Sequence, residues 1–193
     1  MNNMDGTMDC IRHFSSPLGG LTAASDGDAL IGLWFDGQKH FGSTLSPCYE
    51  EKPLPVFSET EAWLRLYFSG QKPDFTPKLL LRGTDFQKAV WEILRSIPYG
   101  ETRTYGEIAQ EIRRRPGAGA MSPRAVGGAV GRNPISLIIP CHRVMGSGGK
   151  ITGYAGGIDK KIRLLQWERA DRFEEPEGAE EKRQGFCSSG RNR

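Results

Sequence analysis

Cysteine is scarce and scattered: the 193 residues hold four, Cys10, Cys48, Cys141 and Cys187, with no CxxC pair. That excludes a dense disulfide framework, and in a reducing compartment it leaves free thiols. Long apolar runs are missing as well. None reaches the ~18 residues that a bilayer-spanning helix needs. The first nine residues are polar and acidic and lack an apolar core, so they do not read as a secretory signal, and a cytoplasmic location follows by default. No internal repeat is visible. With 37% hydrophobic and 25% charged residues, the chain reads as a soluble globular protein rather than a disordered one.

Net charge is only +3, but it is unevenly placed. Residues 1–81 carry 6 basic and 10 acidic side chains, residues 82–170 carry 15 and 7, and residues 171–193 carry 5 and 6. The basic middle points either to a polyanion partner or to a solvated surface with chance clustering.

Residues 11–14, 21–24 and 30–35 read as short strands. Ser16-Pro17-Leu18-Gly19-Gly20 and Asp26-Gly27-Asp28 separate them with hairpin chemistry. A small antiparallel sheet is expected, then a loop over 43–55. Ser58-Glu59-Thr60-Glu61 reads as a capping box that opens a helix through Phe68, which Ser69-Gly70 stops. Residues 72–81, with Pro73 and Pro77, read as an extended linker. Thr84-Asp85-Phe86-Gln87 and Thr104-Tyr105-Gly106-Glu107 are two further capping boxes, each before a helix. A basic, Gly/Ala-containing loop over 113–120 leads to Ser122-Pro123, an N-cap with proline at the first helical position. That helix runs to about Arg132, where Asn133-Pro134 ends it. Residues 135–139 read as a buried apolar strand, Asp159 caps a last helix to about Ala170, and the charged tail over 171–193 reads as disordered. The expected architecture is α/β (α+β). A small N-terminal antiparallel-sheet domain with its linker, residues 1–81, precedes a mostly helical helix-turn-helix (winged-helix-like) domain, residues 82–170.

The helix after Ser122 is unusual. Ala125-Val126-Gly127-Gly128-Ala129-Val130-Gly131 is almost all small residues, and each glycine costs a helix ~1 kcal/mol. Either a DNA backbone approaches this helix closely, or it packs tightly inside the protein. Beyond it, Pro140 precedes a cysteine beside a histidine, Cys141-His142, followed by Arg143. The thiolate is the nucleophile, and an unperturbed cysteine is only a few per cent ionised near neutrality, so a base or a positive environment is needed. His142 is the candidate base and Arg143 the positive neighbour. Adjacent residues on an extended chain point apart, which favours a bridging water. The histidine needs a carboxylate to fix its tautomer, and the last helix offers Glu168. Taken alone, Cys-His reads first as a buried cysteine beside a structural histidine.

Arg124-Ala125-Val126-Gly127-Gly128-Ala129, then Asn133-Pro134, then Ile139-Pro140-Cys141-His142-Arg143-Val144, then Gly153-Tyr154-Ala155-Gly156-Gly157 resemble the signature of the O6-alkylguanine-DNA alkyltransferase family. Phe86-Gln87-Lys88-Ala89-Val90-Trp91 and the Tyr105 helix match it too. The resemblance is strong over residues 82–170. Ser16-Pro17-Leu18-Gly19 and Leu33-Trp34-Phe35 extend it weakly to the N-terminal part.

The resemblance implies that Cys141 takes an alkyl group from guanine O6, once and irreversibly, with His142 and Glu168 as relay. Tyr105 would hydrogen-bond the guanine, and Asn133 would tie the helix-turn-helix to the active-site turn. The carbonyls of Cys141 and Val144 would receive the exocyclic amine, and Tyr154 and Ala155 would belong to a lip over the pocket. Arg124, Ala125, Gly127 and Thr84 would contact double-stranded DNA, with Arg124 entering the minor groove to hold the gap left by a flipped base. No cofactor is implied, since no Gly-rich turn follows a strand, and a monomer is expected. Ala155 stands where some members carry serine. Cys10, His13, His40 and Cys48 do not match the spacing of members that bind zinc, so no metal is expected.

Three other readings are open to the residues. A damage-binding module of the same superfamily lacks the cysteine that stands here at 141. A cysteine hydrolase would need a two-donor oxyanion hole, which the sequence does not indicate. A helix-turn-helix regulator would need a long polar recognition helix instead of this small-residue one.

Overall fold

The computed structural model of the chain describes residues 8–115 and 122–168. The charged tail and the last part of the basic loop before Ser122 lie outside the described residues.

Strands β1 (Asp9–Ser16), β2 (Gly19–Ser25) and β3 (Leu30–Phe35) pair antiparallel in chain order. Pro17-Leu18 closes the first hairpin, and Gly19 follows at φ 110°, where a side chain is strained. Leu21, Ala23, Leu33 and Phe35 join the main core, while Ala24, Ile31 and Trp34 form a smaller cluster. Both faces are covered, so all six residues of β3 are buried.

A fourth strand, β4 (Tyr49–Glu51), lies within the segment read as a loop and pairs parallel with β1, which makes the sheet mixed. Tyr-Glu-Glu offers no apolar alternation to find it by. The outer edge of β3 is also occupied. Leu30 bonds Lys78 and Leu80, and Leu33 bonds Pro134 and Ser136, all through main chain. The stretch read as a linker is therefore docked on the sheet, and the residue-135 segment locks onto the same edge.

Helix α1 (Pro55–Phe68) starts three residues before the expected box. Leu54 is its N-cap without a side-chain bond, and Pro55 sets φ for the first turn. Ser58 and Glu61, the expected box, therefore lie inside the helix, and the hydroxyl of Thr60 bonds back to the Val56 carbonyl at 2.7 Å. The caps expected at Thr84, Thr104 and Ser122 hold. Thr84 and Thr104 form reciprocal capping boxes with Gln87 and Glu107, opening α2 (Asp85–Arg95) and α3 (Tyr105–Arg113). Ser122 caps α4 (Pro123–Gly131). Short strands β5 (Arg103–Thr104) and β6 (Val144–Met145) pair in parallel. The last helix, α5 (Ile158–Glu168), contains Asp159 in its first turn rather than as its cap.

Residues 135–139 are buried as expected but are not a strand. They form a tight turn in which Leu137 sits at φ 70° and the Ile139 amide bonds the Ile135 carbonyl at 3.1 Å. This turn delivers Pro140 to a 3-10 turn, Cys141–Arg143. Trp91 anchors α4 from behind, its indole N–H donating to the Ala129 carbonyl at 2.9 Å.

Candidate active site

Cys141 is 5% exposed and starts the 3-10 turn. Asn133, just past α4, holds it there. Its amide nitrogen donates to Cys141 Sγ at 3.1 Å and to the Ile139 carbonyl at 2.7 Å, and its oxygen accepts the Ile135 N–H at 3.0 Å. One side chain thus ties the end of the helix pair to the thiol. Burial pushes the thiol pKa up. The Asn133 bond, the Lys161 charge and the N–H groups of Cys141 and His142 pull it back without cancelling the rise. The resting sulfur is therefore protonated, and a base is required.

His142 is fully buried, and its Nε2 lies 2.7 Å from Glu168 Oε1. An ionised carboxylate can only accept, so Nε2 carries the hydrogen and Nδ1 is left with a lone pair. Nδ1 is buried without a protein partner among the described residues. Burial lowers the His142 pKa, against the opposing charge of Glu168, so the ring is a neutral base at rest.

Glu168 is 4% exposed. Burial favours its protonated form, but the charges and hydrogen bonds of His142 and Arg143 hold it far below the usual carboxylate range. Arg143 Nε donates to Oε2 at 2.6 Å and Nη2 to Oε1 at 3.0 Å, while its Nη1 donates to the Ile97 carbonyl at 2.7 Å. The Gly100 amide reaches Oε2 at 3.3 Å, and the hydroxyl of Tyr67, on α1, donates to Oε1 at 2.6 Å.

The positive neighbour of Cys141 is therefore not Arg143, which is spent on Glu168, but Lys161. That lysine is wholly buried on α5, with Nζ donating to the carbonyls of Val144 and Thr152. Burial brings its pKa down to about 8, against a pull upward from Cys141. The Val144 carbonyl, expected to face guanine, already accepts this one bond and keeps its second lone pair. Sequence reasoning missed Lys161 and Tyr67. Lys161 carried a signal: it lies seven residues before Glu168, on the same helix face as Leu164 and Leu165, where a lysine is out of place.

A cleft of about 630 Å³ is lined by Tyr105, Gly106, Pro123, Arg124, Gly127, Gly148 and Thr152, among others, and not by Cys141 itself. The Thr152 hydroxyl donates to the Tyr105 hydroxyl at 3.2 Å. Burial and the nearby Cys141 raise the Tyr105 pKa, so its phenol stays protonated. Arg124 and Ala125 are exposed on α4 at this mouth, and the Tyr154 ring meets His142 edge-on at 6.5 Å. Ala155 bonds Lys39 through its carbonyl at 3.1 Å. Thr84 is not brought to the cleft. It caps α2 beside a separate pocket with Arg82 and Arg132.

The glycines of α4 separate the two explanations for that helix. A side chain added at Gly128 or Gly131 would meet nothing within 4 Å, and one at Gly127 would touch Tyr105 only at ordinary distance. The buried face is Val126, Ala129 and Val130. Internal packing therefore does not require glycine at these positions, and the bare strip faces outward.

A helix pair with a bare outer face, a buried cysteine and beside it a buried His–Glu pair fit a cysteine-dependent transferase that meets nucleic acid. The sequence comparisons agree. Residues 85–170 match the model of the 6-O-methylguanine DNA methyltransferase DNA-binding domain, and residues 11–81 match its ribonuclease-like domain. A methylated-DNA--protein-cysteine methyltransferase from Mycobacterium bovis is 47% identical over 161 residues, covering 82% of this chain and 92% of that one. One from Methanosarcina acetivorans is 46% identical over 156 residues, covering 80% and 95%. The crystal structure of Mycobacterium tuberculosis OGT in complex with DNA superposes with a TM-score of 0.72 at 46% identity, covering 85% and 94%. The chain belongs to the 6-O-methylguanine DNA methyltransferase family.

Proposed function

We propose that this protein repairs O6-alkylguanine in duplex DNA by direct reversal, with Cys141 as the acceptor. The arrangement that carries this reading is a buried, protonated thiol next in the chain to a neutral imidazole whose Nε2 is held by Glu168 and whose Nδ1 has no protein partner among the described residues. His142 takes the thiol proton at Nδ1 through one water. The sulfur then attacks the alkyl carbon in line with its bond to O6. The S–C bond forms, the C–O6 bond breaks, and its electron pair returns to guanine, which is protonated as it leaves. Tyr105, a retained proton donor at the cleft, assists that protonation. The Val144 and Cys141 carbonyls receive the exocyclic amine, with Tyr154 and Ala155 forming the lip. Among the described residues, no side chain near Cys141 is suited to cleave the resulting thioether, so each molecule acts once.

O6 lies inside the base stack, so the nucleotide must be turned out, at a cost of a few kcal/mol. Arg124 fills the gap from the minor groove, and the bare Ala125–Gly127–Gly128 face lets the backbone approach. Thr84 adds a phosphate contact farther along. The protein acts as a cytoplasmic monomer built from a sheet domain over 1–81 and a DNA-binding domain over 82–170.

The test is intact-protein mass spectrometry after mixing with a duplex carrying one O6-methylguanine. One added methyl group per chain, mapped to Cys141, is expected. Tight binding with no mass gain would make this a damage-sensing module instead.

A further inference from the structure

Tyr67 is wholly buried yet polar. Its ring is stacked on Trp63 at 5.3 Å and meets Tyr99 edge-on at 6.0 Å. Its main-chain carbonyl accepts the Trp167 indole N–H at 3.1 Å, so α1 and α5 are clamped together at this residue. With ring and main chain fixed, its hydroxyl is fixed too. It donates to Glu168 Oε1 at 2.6 Å and lies 3.5 Å from His142 Nε2. Among the described residues, it is the one hydrogen-bond donor to Glu168 that comes from before residue 82.

We propose that Tyr67 is a positioning residue of the transfer reaction: its hydroxyl fixes Oε1 of Glu168 and disperses part of that carboxylate's charge, keeping His142 neutral, with its hydrogen on Nε2 and Nδ1 free. This rests on the reading of Cys141 as acceptor and His142 as its base. Three donors meet at Oε1, from Tyr67, His142 and Arg143, so Glu168 can neither swing away from His142 nor give that ring its undivided charge. Around the imidazole stand Glu168 and Lys161 from α5, Arg143 from its own turn, Tyr154 from the lip and Tyr67 from α1, with Cys141 next in the chain. The Tyr67 hydroxyl is neutral and reaches both His142 and Glu168. The sheet domain thereby reaches into the chemistry through a single hydroxyl.

The test substitutes Tyr67→Phe, which deletes one oxygen and leaves the stacked ring. With Oε1 relieved of one donor, imidazolium is favoured and the rising limb of the pH–rate profile moves to higher pH. Transfer from a methylated duplex should fall roughly threefold to tenfold on the acid side of the parent's own limb, which lies below pH 6.5, as half to one unit in proton affinity implies, and recover towards the parent rate by pH 8.5. A merely structural loss would lower the rate equally in both ranges and would overturn the proposal. The second measurement uses the unaltered chain. It has three histidines, so the nitrogen shifts of His142 are readily assigned by NMR. Hydrogen on Nε2 is expected, and hydrogen on Nδ1 would overturn the proposal even if the variant failed to fold. An unaltered protein that transfers nothing would instead sink the reading of Cys141 on which the proposal stands.

Discussion

Burial works against Cys141, and the residues around it supply what the thiol lacks. Replacing Cys141 with alanine should abolish transfer and leave duplex binding nearly intact, as a gel-shift titration beside a repair assay would show. Residual demethylation would mean another nucleophile. Lys161 gives a sharper case. Its charge is present below about pH 8 and favours the thiolate. Lys161→Met should raise the Cys141 pKa by about one unit, a tenfold loss of thiolate near neutrality. Iodoacetamide alkylation followed against pH would show it, and an unmoved midpoint would leave Lys161 as a clamp between the Val144 and Thr152 carbonyls only. Of the relay, Cys141, His142 and Glu168 were legible in the sequence because their chemistry demanded a base and an orienting carboxylate. Tyr67 was not, because a tyrosine on the core face of a helix looks like packing. The role of Arg143 was misread because charge alone does not say which neighbour it meets.

Among the elements, those with side-chain caps were read closely, and those set by main-chain or tertiary contacts were not. Thr84, Thr104 and Ser122 carry their own hydrogen-bond logic. The start of α1 rests on Pro55, β4 on pairing with β1, and the turn over 135–139 on docking against Leu33. None of these has a periodic signal. Helix α4 links element to function most directly. Gly128 lies in its interior and faces open space, so Gly128→Ala should stabilise the fold by about 0.5–1 kcal/mol. The larger Gly128→Leu should also fold, yet it should slow repair of duplex DNA while barely changing reaction with free O6-benzylguanine. Arg124→Ala should split the two substrates the same way, through loss of the wedge. Equal loss on both substrates for either variant would remove α4 from the DNA interface.

Taken as a whole, the molecule is fastened by two buried carboxylates that must stay ionised. Asp9, 1% exposed on β1, would be driven towards protonation by burial, but Arg82, which reaches both its oxygens at 2.8 and 2.9 Å, and Ser46 outweigh this and lower its pKa. Glu168 is lowered further by His142 and Arg143. Asp9 joins the sheet to the start of the α2 region, and Glu168 joins α5 to α1, so both lie where distant parts of the chain meet. For each, the folded state binds a proton less readily than the unfolded chain, whose ordinary values are 3.8 and 4.5. Their contribution is therefore complete above those values and is lost as pH falls through them towards the folded ones. Stability measured by urea unfolding should slip as pH falls through about 6.5, where His142 is protonated in the unfolded chain but stays neutral when buried, and decline steeply below about pH 4.5. Glu168→Gln should cost about 3 kcal/mol at pH 7, because it leaves Arg143 buried without its counter-charge. The same variant should show a shallower acid decline, since one titrating group is gone. If its stability fell with pH as steeply as the parent's, Glu168 would not be the group whose protonation opens the molecule, and the acid sensitivity would belong to Asp9 and its tie to Arg82.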